Sequence, residues 1–329
     1  MSESMRAVVI TEFGEPEVLE VQDVPRPEPG ASEVRVRVST SGINRADLLQ
    51  RVGRYPVPAG WPEDIPGLEF AGVVEAVGPG VASVSEGDPV MGILGGGGYA
   101  EYVVTHEHTL VPIPSTLNVE DAGAVPEAFM TAFDAVFLQE KLQAGETLLI
   151  HAVGSGVGTA ALQMAVAAGA RVIGTSRTPE KLERARELGL SDAVLADEGW
   201  PDSVMELTDG KGADVILDLV GGPYLEGNQK VLGMLGRHVV VGVPAGPVAE
   251  INLRTLMGRR ASIRGTVLRA RPLIEKTGLA RAFSEWVCPL FEEGRARPVV
   301  DRILAPEEAP EAHRHVAENR TFGKVLLKW

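Results

Sequence analysis

The chain has 329 residues, 44% of them apolar and 5% aromatic, which is too long for one ordinary core and suits two domains. With 31 Lys and Arg against 45 Asp and Glu, the formal net charge of −14 repels nucleic-acid backbones and anionic membranes, so neither is expected as a partner. The single cysteine, Cys288, excludes an intramolecular disulfide framework and any multi-cysteine metal site, and it suits a reducing cytoplasm.

The N-terminus carries no cationic segment followed by an apolar run, and no apolar stretch reaches membrane-spanning length. Up to about Pro114 the chain offers short β-rich runs punctuated by Gly and Pro: RAVVI, VRVRVSTSGI, FAGVVEAVG, DPVMGI and YAEYVVT. In EVRVRVST, Val34, Val36 and Val38 alternate with Arg35 and Arg37, as a half-buried strand requires. The texture predicts a small barrel-like all-β domain over 1–122. The run GGGG from Gly95 precedes a strand rather than a helix and is expected to be a flexible bend.

From about Val119 strand-like runs (TLLIHA, RVIGT, DAVLA, DVILDLV, RHVVVGV) alternate with helix-like segments. Val157, Ala160, Ala161, Met164, Ala165 and Ala168 recur at helical spacing, stopped by Gly169. In TPEKLERARELG, Thr178 is the expected N-cap, Pro179 opens the helix and Gly189 ends it. This rhythm predicts an α/β doubly wound parallel sheet over 123–267. The remainder, 268–329, reads as helix, extended run, helix and closing strand. It breaks the βα rhythm and is expected to return to the first domain.

The stretch HAVGSGVGTAALQ carries the chemistry. A glycine-rich turn alone is a weak signal, because any strand-to-helix turn favours glycine. Here TLLIHA precedes it, an amphipathic helix follows, and ARVIGT arrives at βαβ distance, so amides at the helix start would face a dinucleotide pyrophosphate. At the end of the second strand, where an NAD site places an acid, stand Ser176 and Arg177, with Lys181 a turn beyond and no acid before Glu180. A hydroxyl and a guanidinium suit the 2′-phosphate of NADPH; the competing reading is a solvated helix start.

These segments, with GINRADLLQRVGRYPVPAG, PGLEFAGVVEAVGPGV and VPEAFMTAF, resemble the quinone oxidoreductase branch of the medium-chain dehydrogenase/reductase superfamily. The likeness is greatest to the zinc-free NADPH:quinone reductases of the zeta-crystallin-like, p53-inducible type. The resemblance implies a GroES-like catalytic domain around a Rossmann domain, with the cofactor in the cleft between them, and a cytoplasmic homodimer. It implies NADPH contacts at Asn44, Thr131, Ser155, Gly156, Val157, Gly158, Gly242, Val243, Leu268 and Asn319. Ser155 departs from the family's more usual glycine, and Ala196 from a cofactor-contacting tyrosine.

Zinc-dependent relatives carry Gly-His-Glu and a cysteine ligand; this chain has Leu68 and Asn44 at those places, so no metal is expected. His106 with His108, and His313 with His315, read as surface pairs. Without a Lewis acid, quinones and conjugated enones are easier acceptors than isolated carbonyls, because the incoming electrons delocalise to a distant oxygen. The resemblance makes Tyr55 the donor to a substrate oxygen, with Asn44 and Asp47 supporting the cofactor. Against this, Tyr55 could only line the pocket and Asp47 could only begin a helix. The expected substrate is a quinone or a conjugated carbonyl. The alternatives are reduction of α,β-unsaturated ketones or enoyl thioesters, and a non-enzymatic NADPH-binding role.

Overall fold

The computed structural model describes residues 3–329. One unit runs up to Met130 and resumes at Leu268; the other spans Thr131–Val267. The change of unit falls within the helix Pro126–Ala132.

The N-terminal segment contributes β1 (Ser4–Ile10), β2 (Leu19–Pro25), β3 (Glu33–Gly42), β4 (Glu69–Val77), β5 (Pro89–Ile93), β6 (Tyr102–His106) and β7 (Leu110–Pro112). The ten residues of β3 let it serve as a branch point. Its first half pairs with β6, and both halves pair with β4. Val34, Val36 and Val38 enter the core as their alternation predicts. Arg35 departs from the expected half-buried pattern: it is buried, because Glu28 and Glu75 both take its guanidinium.

The second unit supplies β8 (Thr147–Ile150), β9 (Arg171–Ser176), β10 (Asp192–Leu195), β11 (Ala213–Asp218), β12 (Leu232–Val240) and β13 (Ser262–Gly265). They form one parallel sheet in the order β10-β9-β8-β11-β12-β13. That is the strand order of a doubly wound dinucleotide fold, with its switch point between β8 and β11. Leu149, Ile173, Val194 and Ile216 pack with Trp200 and Val204 in its core. The helix Gly156–Ala167 and the stop at Gly169 (φ 79°) match the apolar spacing. Thr178 does stand at the N-cap of Pro179–Arg186, although its side chain makes no cap bond.

The C-terminal segment adds β14 (Val300–Leu304) and β15 (Lys324–Lys328), and β15 pairs antiparallel with the end of β3. The glycine run is a packed passage rather than a flexible bend. Gly95, Gly96 and Gly98 are buried, and a Cβ on Gly95 would strike the Trp61 indole.

Candidate active site

In the second unit, parallel pairing brings the ends of β8, β9, β11 and β12 to one edge of the sheet. Ser155, Gly156, Val157 and Gly158 follow β8 there, Ser176 and Arg177 close β9, and Gly242 and Val243 follow β12. Ser155 caps the helix: its Oγ accepts the Gly158 N–H at 3.1 Å, and its backbone carbonyl takes the Thr159 N–H at 2.8 Å. The N–H groups of Gly156 and Val157 make no hydrogen bond among the described residues, so two half-buried donors remain at the helix start. This fits a diphosphate, which needs converging amides and gains from the helix dipole. A Cβ on Gly158 would lie 2.6 Å from the Ala152 carbonyl oxygen and 2.7 Å from that of Val153, so the helix can approach the strand only through glycine. Ser176 is buried and its Oγ accepts the Thr178 N–H at 3.1 Å, while Arg177 is exposed. Thr131 begins this unit and is buried; Lys181 is half-buried on the helix after β9.

Beneath that edge lies a polar chain that spacing did not reveal. His151 is wholly buried, with Nδ1 2.9 Å from Thr175 Oγ1 and Nε2 2.6 Å from Asn228 Oδ1. The amide oxygen can only accept, so Nε2 carries the proton and Nδ1 accepts from the threonine hydroxyl. Asn228 Nδ2 donates to Asp218 Oδ2 at 3.0 Å, and the other carboxylate oxygen takes the N–H groups of Val220 and Gly221 at 2.8 Å each. Burial lowers the His151 pKa from 6.5 to about 4. Between pH 6.5 and 4 the unfolded chain binds a proton that the folded one refuses, so this group's contribution is lost as the pH falls. The stability gap between wild type and His151→Gln should therefore shrink on acidification through that window, by up to about 1.4 kcal/mol per pH unit. Urea titrations at stepped pH would measure it; a constant gap would mean His151 titrates normally.

In the first unit, Asn44 precedes the short helix Arg45–Arg51 and Asp47 lies in its first turn. Asp47 is fully buried and accepts from the Asn44 N–H (2.8 Å), the Tyr99 hydroxyl (2.9 Å) and the Gly67 N–H (3.3 Å). Burial raises its pKa to about 6 despite these bonds. The bond from the Asn44 N–H is the one a helix-start acid makes. Asn44 donates through Nδ2 to Glu69 Oε1 at 2.8 Å and accepts from Lys324 Nζ at 2.7 Å. Glu69 Oε1 also meets that ammonium at 2.6 Å, and Oε2 takes the Glu127 N–H at 2.8 Å. Asn44, Glu69 and Lys324 are thus committed to one another. Among the described residues no group of three or more His, Cys, Asp or Glu is arranged to hold an ion.

Tyr55 is half-buried, with the Arg269 guanidinium 5.0 Å from its ring centre. Burial, reinforced by Glu127, raises its pKa, so the phenol stays protonated and able to donate. Leu268 is buried in this unit, and Asn319 Oδ1 accepts from Arg45 Nη2 at 2.8 Å.

His313 and His315 are not a surface pair; both are buried. His313 lies between the Tyr99 hydroxyl (3.3 Å) and Arg51 (3.4 Å), and His315 Nε2 meets Asp301 at 2.7 Å. Burial, with Arg51 adding to it, drops the His313 pKa to about 3. The helix Ala309–Ala317 turns Ala309, Ala312 and these imidazoles inward, a face that its charged neighbours obscured. His106 and His108 behave as expected, half-buried and exposed, with ring centres 5.2 Å apart. Sequence reasoning also missed Glu127, Arg269 and Lys276. Each gains its meaning only from partners far along the chain.

Two family models match the chain: the alcohol dehydrogenase GroES-like domain over 30–115 and the zinc-binding dehydrogenase over 156–284. The quinone oxidoreductase of Pseudomonas aeruginosa is 36% identical over 96% of this chain and 97% of its own. That of Sus scrofa is 34% identical over 98% and 97%. Among solved structures, an NAD-dependent alcohol dehydrogenase gives a TM-score of 0.89 at 38% identity, over 99% of this chain and 100% of its own. A quinone oxidoreductase of Pseudomonas syringae pv. tomato gives 0.87 at 30% identity, over 99% and 100%. The JamJ enoyl reductase, in its apo form, gives 0.87 at 25%, over 99% of each chain.

Proposed function

Since the chain belongs to the quinone oxidoreductase family of the medium-chain dehydrogenase/reductase superfamily, we propose that it reduces quinones with electrons from a nicotinamide dinucleotide, NADPH in preference to NADH. One observation carries the reading. At the switch point of a parallel sheet, a glycine-bearing helix start holds two uncommitted amides in a chain similar to quinone oxidoreductases over nearly its whole length. When bound, NADPH supplies the electrons. The amides of Gly156 and Val157 would hold its diphosphate, while Ser176, Arg177 and Lys181 would meet its 2′-phosphate. Thr131, Ser155, Gly158, Gly242, Val243, Leu268, Asn44 and Asn319 remain the other proposed cofactor residues.

Tyr55 would donate a hydrogen bond to the acceptor oxygen as negative charge gathers there. A quinone spreads that charge over a conjugated system, so it asks less of the phenol than a lone ketone, which gathers the charge on one oxygen. With Asn44 and Glu69 committed to Lys324, the reading is a zinc-independent one. We also read the protein as cytoplasmic, in keeping with its single cysteine, and as a homodimer, as the family resemblance implies.

NADPH oxidation against a panel of quinones, enones and enoyl thioesters tests the proposal. Quinones should be the faster acceptors, and Tyr55→Phe should lower kcat/KM for them by roughly tenfold to a hundredfold. An unchanged value would remove the phenol from the reaction. Turnover of enones or enoyl thioesters without quinones would favour the second reading, which the likeness to an enoyl reductase keeps in play.

A further inference from the structure

Arg269 is a buried cation with an unspent donor. Only 4% of its surface is exposed; Nε donates to the Gly95 carbonyl at 2.7 Å and Nη2 to Gln50 Oε1 at 2.6 Å. Nη1 is buried with no hydrogen-bond partner. Leaving a charged N–H unbonded away from water is costly, so such a group marks a place where an acceptor belongs. Its guanidinium covers the Tyr55 ring, the proposed donor to substrate.

A second cation stands close by. Lys276, 8% exposed, holds its ammonium 5.9 Å over the Trp61 ring and is bonded to no carboxylate among the described residues. Trp61 in turn packs against the same glycine run that binds Arg269. Asp47 and Glu127 are near enough for Arg269 to feel their charge, and Glu127 for Lys276, but neither acid forms a hydrogen bond or ion pair with either cation among the described residues. The oxygens of Asp47 are taken by Asn44, Gly67 and Tyr99, and burial beside Glu69 raises the Glu127 pKa to about 8, keeping it mostly protonated at neutral pH.

We propose that Arg269 Nη1 and Lys276 Nζ form an anion subsite beside Tyr55, and that the acceptor reduced by this protein carries a carboxylate or comparable anionic oxygen group. The assignment of that group to a reducible acceptor rests on the function proposed above. A guanidinium N–H and an ammonium both bind anionic oxygen more strongly than neutral oxygen. Glycine at 95 leaves room for the Trp61 indole, which any side chain there would strike, and the next residue, Gly96, lies beside Arg269 Nη2. An uncharged quinone would be bound through its ring alone and would leave both cations unmatched.

Calorimetry on the full-length protein provides a test that needs no turnover, with 2-naphthalenesulfonate and 2-naphthol as probes. The sulfonate should bind at least roughly tenfold more tightly, and both Arg269→Gln and Lys276→Met should erase most of that preference while leaving 2-naphthol binding unchanged. Lys276→Met touches none of the bonds from Arg269 to Gly95 and Gln50, so it reports even if Arg269→Gln folds poorly. Equal binding of the two probes, or a preference untouched by Lys276→Met, overturns the subsite. In parallel, 1,4-naphthoquinone-2-sulfonate should show a lower KM than 1,4-naphthoquinone. A sulfonate preference in a protein that reduces neither quinone would sink the reductase reading and leave the subsite standing.

Discussion

Valine in place of Gly158 is expected to destabilise the second unit by about 3 kcal/mol and to weaken nucleotide binding on the order of a hundredfold. The cause is the close approach of the helix Gly156–Ala167 to the turn after β8. A Cβ at this position meets two carbonyl oxygens and the Val153 carbonyl carbon, all at 2.8 Å or less. All three are backbone atoms, so no rotamer change relieves the overlap. The helix start must move away, and with it the amides of Gly156 and Val157 proposed to hold the diphosphate. Urea unfolding and fluorescence titration with NADPH would measure the two effects. Gly158→Ala already introduces the offending atom; if that variant keeps wild-type stability and affinity, the close approach does not constrain the site.

Arg177→Glu should raise the Kd for NADPH on the order of a hundredfold while changing that for NADH less than about threefold. On the proposed assignment the substitution would remove a charge-assisted bond to the 2′-phosphate and set a carboxylate against it; NADH has no group there to feel either change. The arginine follows Ser176, whose burial and bond to the Thr178 N–H fix the end of β9, so the direction of the turn is rigid. The likeness to an NAD-dependent alcohol dehydrogenase makes NADH the natural competing coenzyme. Equal losses for both coenzymes would place Arg177 away from the extra phosphate. Raising the salt concentration should weaken NADPH binding more than NADH binding, for the same electrostatic reason.

Local physical rules made much of the fold readable from the chain alone. The alternation of Val34, Val36 and Val38 is a property of three neighbouring residues, as is the glycine-bearing turn that runs into the helix Gly156–Ala167. The βα rhythm after Val119 restricts parallel connections to few topologies, and the sheet has the strand order that such a rhythm favours. The return of the closing strand GKVLLKW to the first unit also follows from the break in that rhythm, whereas its pairing with β3 is a matter of tertiary structure.

Burial of charge was decided elsewhere. His313 is buried against partners, Tyr99 and Arg51, that lie 214 and 262 residues away. Arg269 is held by Gly95 and Gln50, at separations of 174 and 219. Asp47 reads as a helix-start acid in either view, but only Tyr99 and Gly67 show that it sits wholly out of water. Spacing along a chain encodes which face of an element is apolar, because that repeat is local. Which polar group a distant segment will cover, and whether it will be met by a partner there, depends on how the elements pack; no short-range pattern carries that information.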